Sequence, residues 1–169
     1  LPDGNVIKAE GSEIGAAYPQ NIGFNAVCLE KYFIHNLKYT NQRLLSKVKQ
    51  LGLDLVNVKQ GYTKCSCVVV DNSSIITADD GIYTVLSEIT DIDVLKISEG
   101  HVFLDGFDYG FLGGASGRVG DTLYFHGDIT RHPDHNLIFD FILNRNIEIK
   151  WFDFPLNDIG SIIEFNSII

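Results

Sequence analysis

Apolar positions along this 169-residue chain fall into short runs that recur in the same order three times. From Asn21, the runs Ala26 to Leu29 and Tyr32 to Asn36 are hinged at Glu30-Lys31, the pattern of two short strands. Thr40 or Asn41 can cap a following helix with Leu44, Leu45, Val48 and Leu51 on one face. Gly52 stops that helix, and Leu53 to Val58 predicts the next strand.

The order repeats from Cys67 to Val70 and Ser74 to Thr77, hinged at Asn72-Ser73. Asp79 or Asp80 caps a helix bearing Ile82, Val85, Leu86 and Ile89, and Asp93 to Ile97 is the strand that follows. After a linker from Ser98 to Asp108, a glycine-rich approach (Gly110, Gly113, Gly114, Gly117) leads into a strand, turns at Gly120-Asp121 and returns as Thr122 to Phe125. A helix with Pro133 in its first turn and Leu137, Ile138, Phe141 and Ile142 inward comes next, then the strand Ile147 to Phe152. Ser161 to Phe165 reads as a lone closing strand, and residues 1–20 as an irregular lead-in with one short strand at Asn5 to Ala9. The expectation is therefore α/β: one domain over residues 21–169, built from strand-strand-helix-strand units at about 21–60, 61–98 and 109–152, with a closing strand at 161–165.

Composition narrows the function more than the fold. A net charge of −9 leaves no basic stripe to neutralise phosphates, which argues against nucleic-acid binding. No apolar run approaches the roughly 20 residues of a membrane span, and the N-terminus lacks a signal-peptide pattern, so a soluble cytoplasmic protein is expected. Three cysteines, Cys28, Cys65 and Cys67, do not make a disulfide framework and suit reduced thiols. The chain begins at Leu1 and contains no methionine, from which N-terminal sequence beyond Leu1 is expected. The glycine-rich approach lacks the Lys-Ser/Thr pair of a phosphate-cradling loop and serves bulges and turns instead.

The stretches GYTKCSCVVVDNSSIITADDGIY, GHVFLDGFDYGFLGGASG, GDITRHPD and NDIGSIIEF resemble an uncharacterised bacterial family of the pentein, or guanidino-group-modifying enzyme, fold, over nearly the whole chain from Tyr18. The resemblance implies a pentein-like α/β-propeller. It also implies either a small-molecule hydrolase or amidinotransferase-like enzyme, with a ligand in an axial pocket, or a catalytically inactive binding module of the same fold. Catalytic members of that fold use a cysteine near the C-terminus, a histidine and acidic residues. Their Glu-Gly-Gly-Asn motif is similar to Leu112-Gly113-Gly114-Ala115, which keeps the glycines alone, and their nucleophile position falls near Gly160 or Ser161.

In such a propeller Asn25, Lys64, Cys65, Asp108 and Asp158 would meet in one pocket, with Gly113, Gly114 and Ser116 also binding substrate. Cys65 beside Lys64 is the candidate nucleophile, because a neighbouring ammonium favours the thiolate; its other reading is a small buried hydrophobe. His101 is a candidate general acid or base, or a loop histidine bonded to backbone. Asp105 and Asp108 flank Gly106 and would grip a cation or shape a turn. His126, Asp128, His132, Asp134 and His135 are of metal-ligand type, but their order also fits a turn and a helix start, and neither metal nor cofactor is expected. Trp151, Phe152 and Phe154 fit a partner surface or the rim of a core.

Overall fold

A computed structural model describes residues 14–164, so the strand expected at Asn5 to Ala9 and the end of the closing strand at Phe165 lie outside the described residues. The described chain divides into two compact units, residues 14–63 and 64–164. It holds three three-stranded sheets and four helices, a mixed α/β arrangement.

In the first unit, β1 (Val27–Cys28) pairs antiparallel with β2 (Tyr32–His35), and β2 pairs parallel with β3 (Asp54–Asn57) after the helix α1 (Gln42–Gln50). Asn41 takes the cap: its side chain accepts from the Arg43 and Leu44 N–H groups, two of the donors that a helix start leaves unpaired. Val48 is the fully buried residue of α1, whereas Leu51 sits at the C-cap with 62% of its surface exposed, so the inward stripe ends a turn earlier than the periodicity predicts. Phe33 and Ile34 on the central strand are fully buried. Burial of each such side chain stabilises by about 1.5–3 kcal/mol.

The second unit repeats the plan twice. The short helix α2 (Thr63–Ser66) leads into β4 (Cys67–Val69), antiparallel to β5 (Ser74–Thr77); α3 (Asp80–Ser87) then returns the chain to β6 (Asp93–Lys96), parallel to β5. Asp79 caps α3 by accepting from the Ile82 N–H at 2.7 Å. The last sheet has the same order: β7 (Ser116–Val119) antiparallel to β8 (Thr122–Phe125), then α4 (His135–Leu143), then β9 (Glu148–Trp151) parallel to β8. Val68, Ile76, Leu123, Phe125, Ile138 and Ile142 pack in one apolar cluster beneath both sheets. Arg145, just beyond α4, ties the two together: its guanidinium bonds Ser74 Oγ at 2.7 Å, pairs with Asp93, reaches Asp71 at 3.6 Å and lies over the Phe141 ring.

Three local readings need correction. Helix α4 starts at His135, because a 3-10 turn over Ile129–Arg131, capped by Asp128, uses the chain before it; Pro133 therefore precedes the N-cap instead of lying in the first turn. Leu137 is 54% exposed, since the buried stripe of α4 runs through Ile138 and Ile142, one position on. Residues 161–164 form no ladder among the described residues. Ile159 N–H donates to Gly114 O and Ile162 N–H to Ser116 O, with Gly160 (φ 92°) and Ser161 (φ 150°) at positive φ between them. Among the described residues no helix is long and apolar enough to cross a membrane.

Candidate functional site

The glycine-rich approach to β7 owes its sequence to close packing. A side chain at Gly113 would run into the carbonyls of Cys67 and Cys65. At Gly114, all three of the nearest heavy atoms belong to the Asp158 carboxylate, the farthest of them at 2.6 Å. Gly114 N–H donates to Cys65 O at 2.9 Å, which pins the glycine turn to α2, just ahead of β4. Only a residue without Cβ allows both backbones and the carboxylate to share this space.

Asp158 bridges two loops. Its Oδ2 accepts from the Phe111 N–H and its Oδ1 from the Gly160 N–H, each at 2.9 Å, so both carboxylate oxygens are engaged by backbone. The bond to Gly160 holds the turn that presents Ser161. There Ser161 Oγ lies 2.7 Å from Lys64 Nζ, with the ammonium donating, and the hydroxyl faces Ser116 O at 3.2 Å and Gly113 O at 3.4 Å. Lys64 is half-buried. Burial holds its pKa below the ordinary lysine value, against the opposing pull of Cys65, Cys67 and Asp158.

The two thiols differ. Cys65 is 7% exposed and its Sγ donates to Gly160 O at 3.3 Å, so it fastens the same turn. Cys67 is fully buried on β4, and that burial pushes its thiol up to about 12; Lys64 pulls it the other way. No disulfide links Cys28, Cys65 or Cys67 among the described residues. Ser116 is fully buried at the start of β7, with no partner for its Oγ among the described residues. An unsatisfied buried hydroxyl is costly unless a ligand or water meets it.

Of the residues singled out from the sequence, Lys64, Cys65, Gly113, Gly114, Ser116 and Asp158 are thus brought together. His101 and Asp108 are placed elsewhere, in an open cleft of about 330 Å³ that Phe103, Asp128 and Arg131 also line. The His101 ring meets His132 edge to face at 5.1 Å. Asn25 belongs to the first unit, its N–H donating to Ile22 O. Ser161 enters the sequence reading only through the resemblance, as a position near the nucleophile of the catalytic members, and not as a candidate by its own chemistry. Its signal is faint, a hydroxyl after a glycine in Asn157-Asp158-Ile159-Gly160-Ser161, directly ahead of an apolar pair.

The histidines of the 126–135 stretch make hydrogen bonds of their own. His126 Nδ1–H donates to Asn157 O, His132 Nδ1 accepts from the Asp134 N–H, and His135 Nδ1–H donates to His132 O. Among the described residues no three His, Cys, Asp or Glu side chains stand where they could hold a metal ion. Trp151, Phe152 and Phe154 are exposed, with Phe152 and Phe154 stacked at 5.7 Å and Trp151 against Phe139.

Fold and site define a mixed α/β protein of repeated strand-strand-helix-strand units, with one lysine set among thiols, hydroxyls and a carboxylate. The chain belongs to a family of unknown function (DUF6873), whose model matches residues 3–163. No curated protein matches it.

Proposed function

We propose that this chain is a small-molecule hydrolase built on a pentein-like α/β-propeller, with its chemistry in the cluster of Lys64, Cys65, Ser116, Asp158 and Ser161. The propeller reading is supported by the same antiparallel-then-parallel pairing in all three sheets. The observation that carries the enzyme reading is the placement of Lys64 Nζ, 2.7 Å from a hydroxyl in a half-buried setting that depresses its pKa. A lysine set this way gives up solvation, which a purely structural role on a protein surface does not require, and an amine that loses its proton readily is suited to proton transfer. The arrangement matches what acyl transfer needs: a nucleophile, a base beside it and a fixed acidic group that orients the loop.

The test is hydrolysis of a panel of small esters, amides, ureas and guanidino compounds, followed by mass spectrometry of the released alcohol, amine or ammonia, for the wild type and Lys64→Met. Turnover that is lost in Lys64→Met supports the reading. Binding of a panel compound without turnover overturns it and assigns the chain to the binding-module alternative, and turnover equal in the two proteins removes Lys64 from the chemistry and overturns the placement of the site.

A further inference from the structure

We propose that Ser161 is a nucleophile and Lys64 its general base, acting on the carbonyl carbon of a small uncharged ester, amide or urea; this rests on the hydrolase reading above. The contact between Lys64 Nζ and Ser161 Oγ, 2.7 Å, is within the distance at which an amine takes a hydroxyl proton directly. The backbone at Ser161 is held at φ 150°, a region that side-chain-bearing residues rarely adopt, next to Gly160 at φ 92°. Such a conformation persists only where its surroundings over-determine it. Here they do: Asp158 Oδ1 holds the Gly160 N–H, Cys65 Sγ holds the Gly160 carbonyl, and the Ile159 and Ile162 N–H groups bond to Gly114 and Ser116.

These same bonds assign the other polar groups. Cys65 directs its thiol at a carbonyl and so positions the loop instead of attacking. Asp158 spends both oxygens on backbone N–H groups instead of facing a guanidinium, and the ammonium form of Lys64 would repel such a cation. An uncharged carbonyl compound fits this setting.

In the first step the neutral Lys64 amine takes the Ser161 proton as the bond from Oγ to the carbonyl carbon forms and the π pair moves to oxygen. Collapse expels the alcohol or amine, which takes the proton back from the Lys64 ammonium and leaves an acyl group on Ser161. Water then attacks that acyl carbon and gives a proton to Lys64, which returns it to Ser161 Oγ as the acyl–oxygen bond breaks. One water is consumed, and one acid and one alcohol or amine are released.

The full chain treated with a fluorophosphonate, a serine-directed reagent, tests this by intact mass and peptide mapping, alongside hydrolysis of the ester panel. Variants are Ser161→Gly, Lys64→Arg and Cys65→Ser, with circular dichroism as the check on folding. Glycine suits a positive φ, so Ser161→Gly removes the hydroxyl without a backbone penalty. The expected result is one adduct on Ser161 in the wild type. It disappears in Ser161→Gly and forms about 100-fold more slowly in folded Lys64→Arg, whose guanidinium does not deprotonate. Its rate in the wild type rises with pH, with a midpoint below the ordinary lysine value of 10.5. An adduct on another residue, unchanged labelling in Lys64→Arg or no adduct in the wild type overturns the proposal. Ester hydrolysis that survives Ser161→Gly and fails in Cys65→Ser removes the serine and leaves the hydrolase standing, whereas no hydrolysis and no adduct removes both.

Discussion

Replacement of Gly114 by alanine probes the packing on which the site depends. The added methyl would meet the Asp158 carboxylate before anything else. The carboxylate must then swing aside, which breaks its bonds from the Phe111 and Gly160 N–H groups. Hydrogen bonds to a charged acceptor contribute about 1.5–3 kcal/mol each, and at a half-buried carboxylate, where water partly replaces them, about 1 kcal/mol each is the reasonable figure. Gly114→Ala should therefore cost about 2 kcal/mol, and Asp158→Ala, which loses the same two bonds, about as much. The double variant has no carboxylate for the methyl to strike, so its cost should stay near 2 kcal/mol where simple addition would give about 4. Urea denaturation of the four proteins, with the slope checked for constancy, measures this coupling of roughly 2 kcal/mol. Additivity within about 0.5 kcal/mol would show that Gly114 and Asp158 are not in contact and would refute the account of the glycine turn.

Two further outcomes follow from the charges. Cys67 keeps its proton in the folded protein up to about 12, while an exposed thiol loses it near 9.0, so the folded state binds more protons between those values. Its contribution is fully present below pH 9 and drains away as pH rises toward 12. Wild type should lose roughly 2 kcal/mol more than Cys67→Ala between pH 8 and 10.5, and parallel pH profiles in urea melts would contradict this. For Arg145→Met the expected loss is about 2 kcal/mol at pH 7, because Asp71, Asp93 and Ser74 lose their partner. Burial raises the Asp71 pKa, but the Ser73 and Ser74 hydrogen bonds and Arg145 outweigh it and hold it below the ordinary carboxylate value. That contribution is present above pH 3.8 and lost as pH falls through the folded value, so the gap between Arg145→Met and wild type should narrow at pH 3; a constant gap would assign the effect to packing on Phe141 alone.

The strands and helices were largely legible because each reports a local pattern. Ser74 to Thr77 and Thr122 to Phe125 match the observed strands residue for residue, and Asn41 and Asp79 cap where short polar side chains precede an apolar stripe. The misses arise where a longer-range contact decides. Leu137 looks inward by spacing, yet the face of α4 is set by what Ile138 and Ile142 pack against. Ser161 to Phe165 has strand composition, but the turn held by Asp158 and Cys65 breaks it at Ser161. The site was half legible. Lys64, Cys65 and the glycine pair announce themselves by neighbourhood, whereas the contact of Lys64 with Ser161 spans 97 positions and has no trace in either segment alone. Convergence of propeller strand entries groups Asp108 with Cys65, and acid-base chemistry adds His101, but the fold lines a separate cleft with both.

The stretch from Asn157 to Ile162 supplies both Asp158 and Ser161, and in chain order it follows every strand and helix of the second unit. A ribosome adds about 5–20 residues per second and releases the chain from its N-terminal side. During synthesis, then, Lys64 and the glycine turn emerge seconds before the groups that complete their surroundings. A half-made chain holds the lysine without the serine, so whatever reactivity the pair possesses is withheld until nearly the whole unit has left the ribosome.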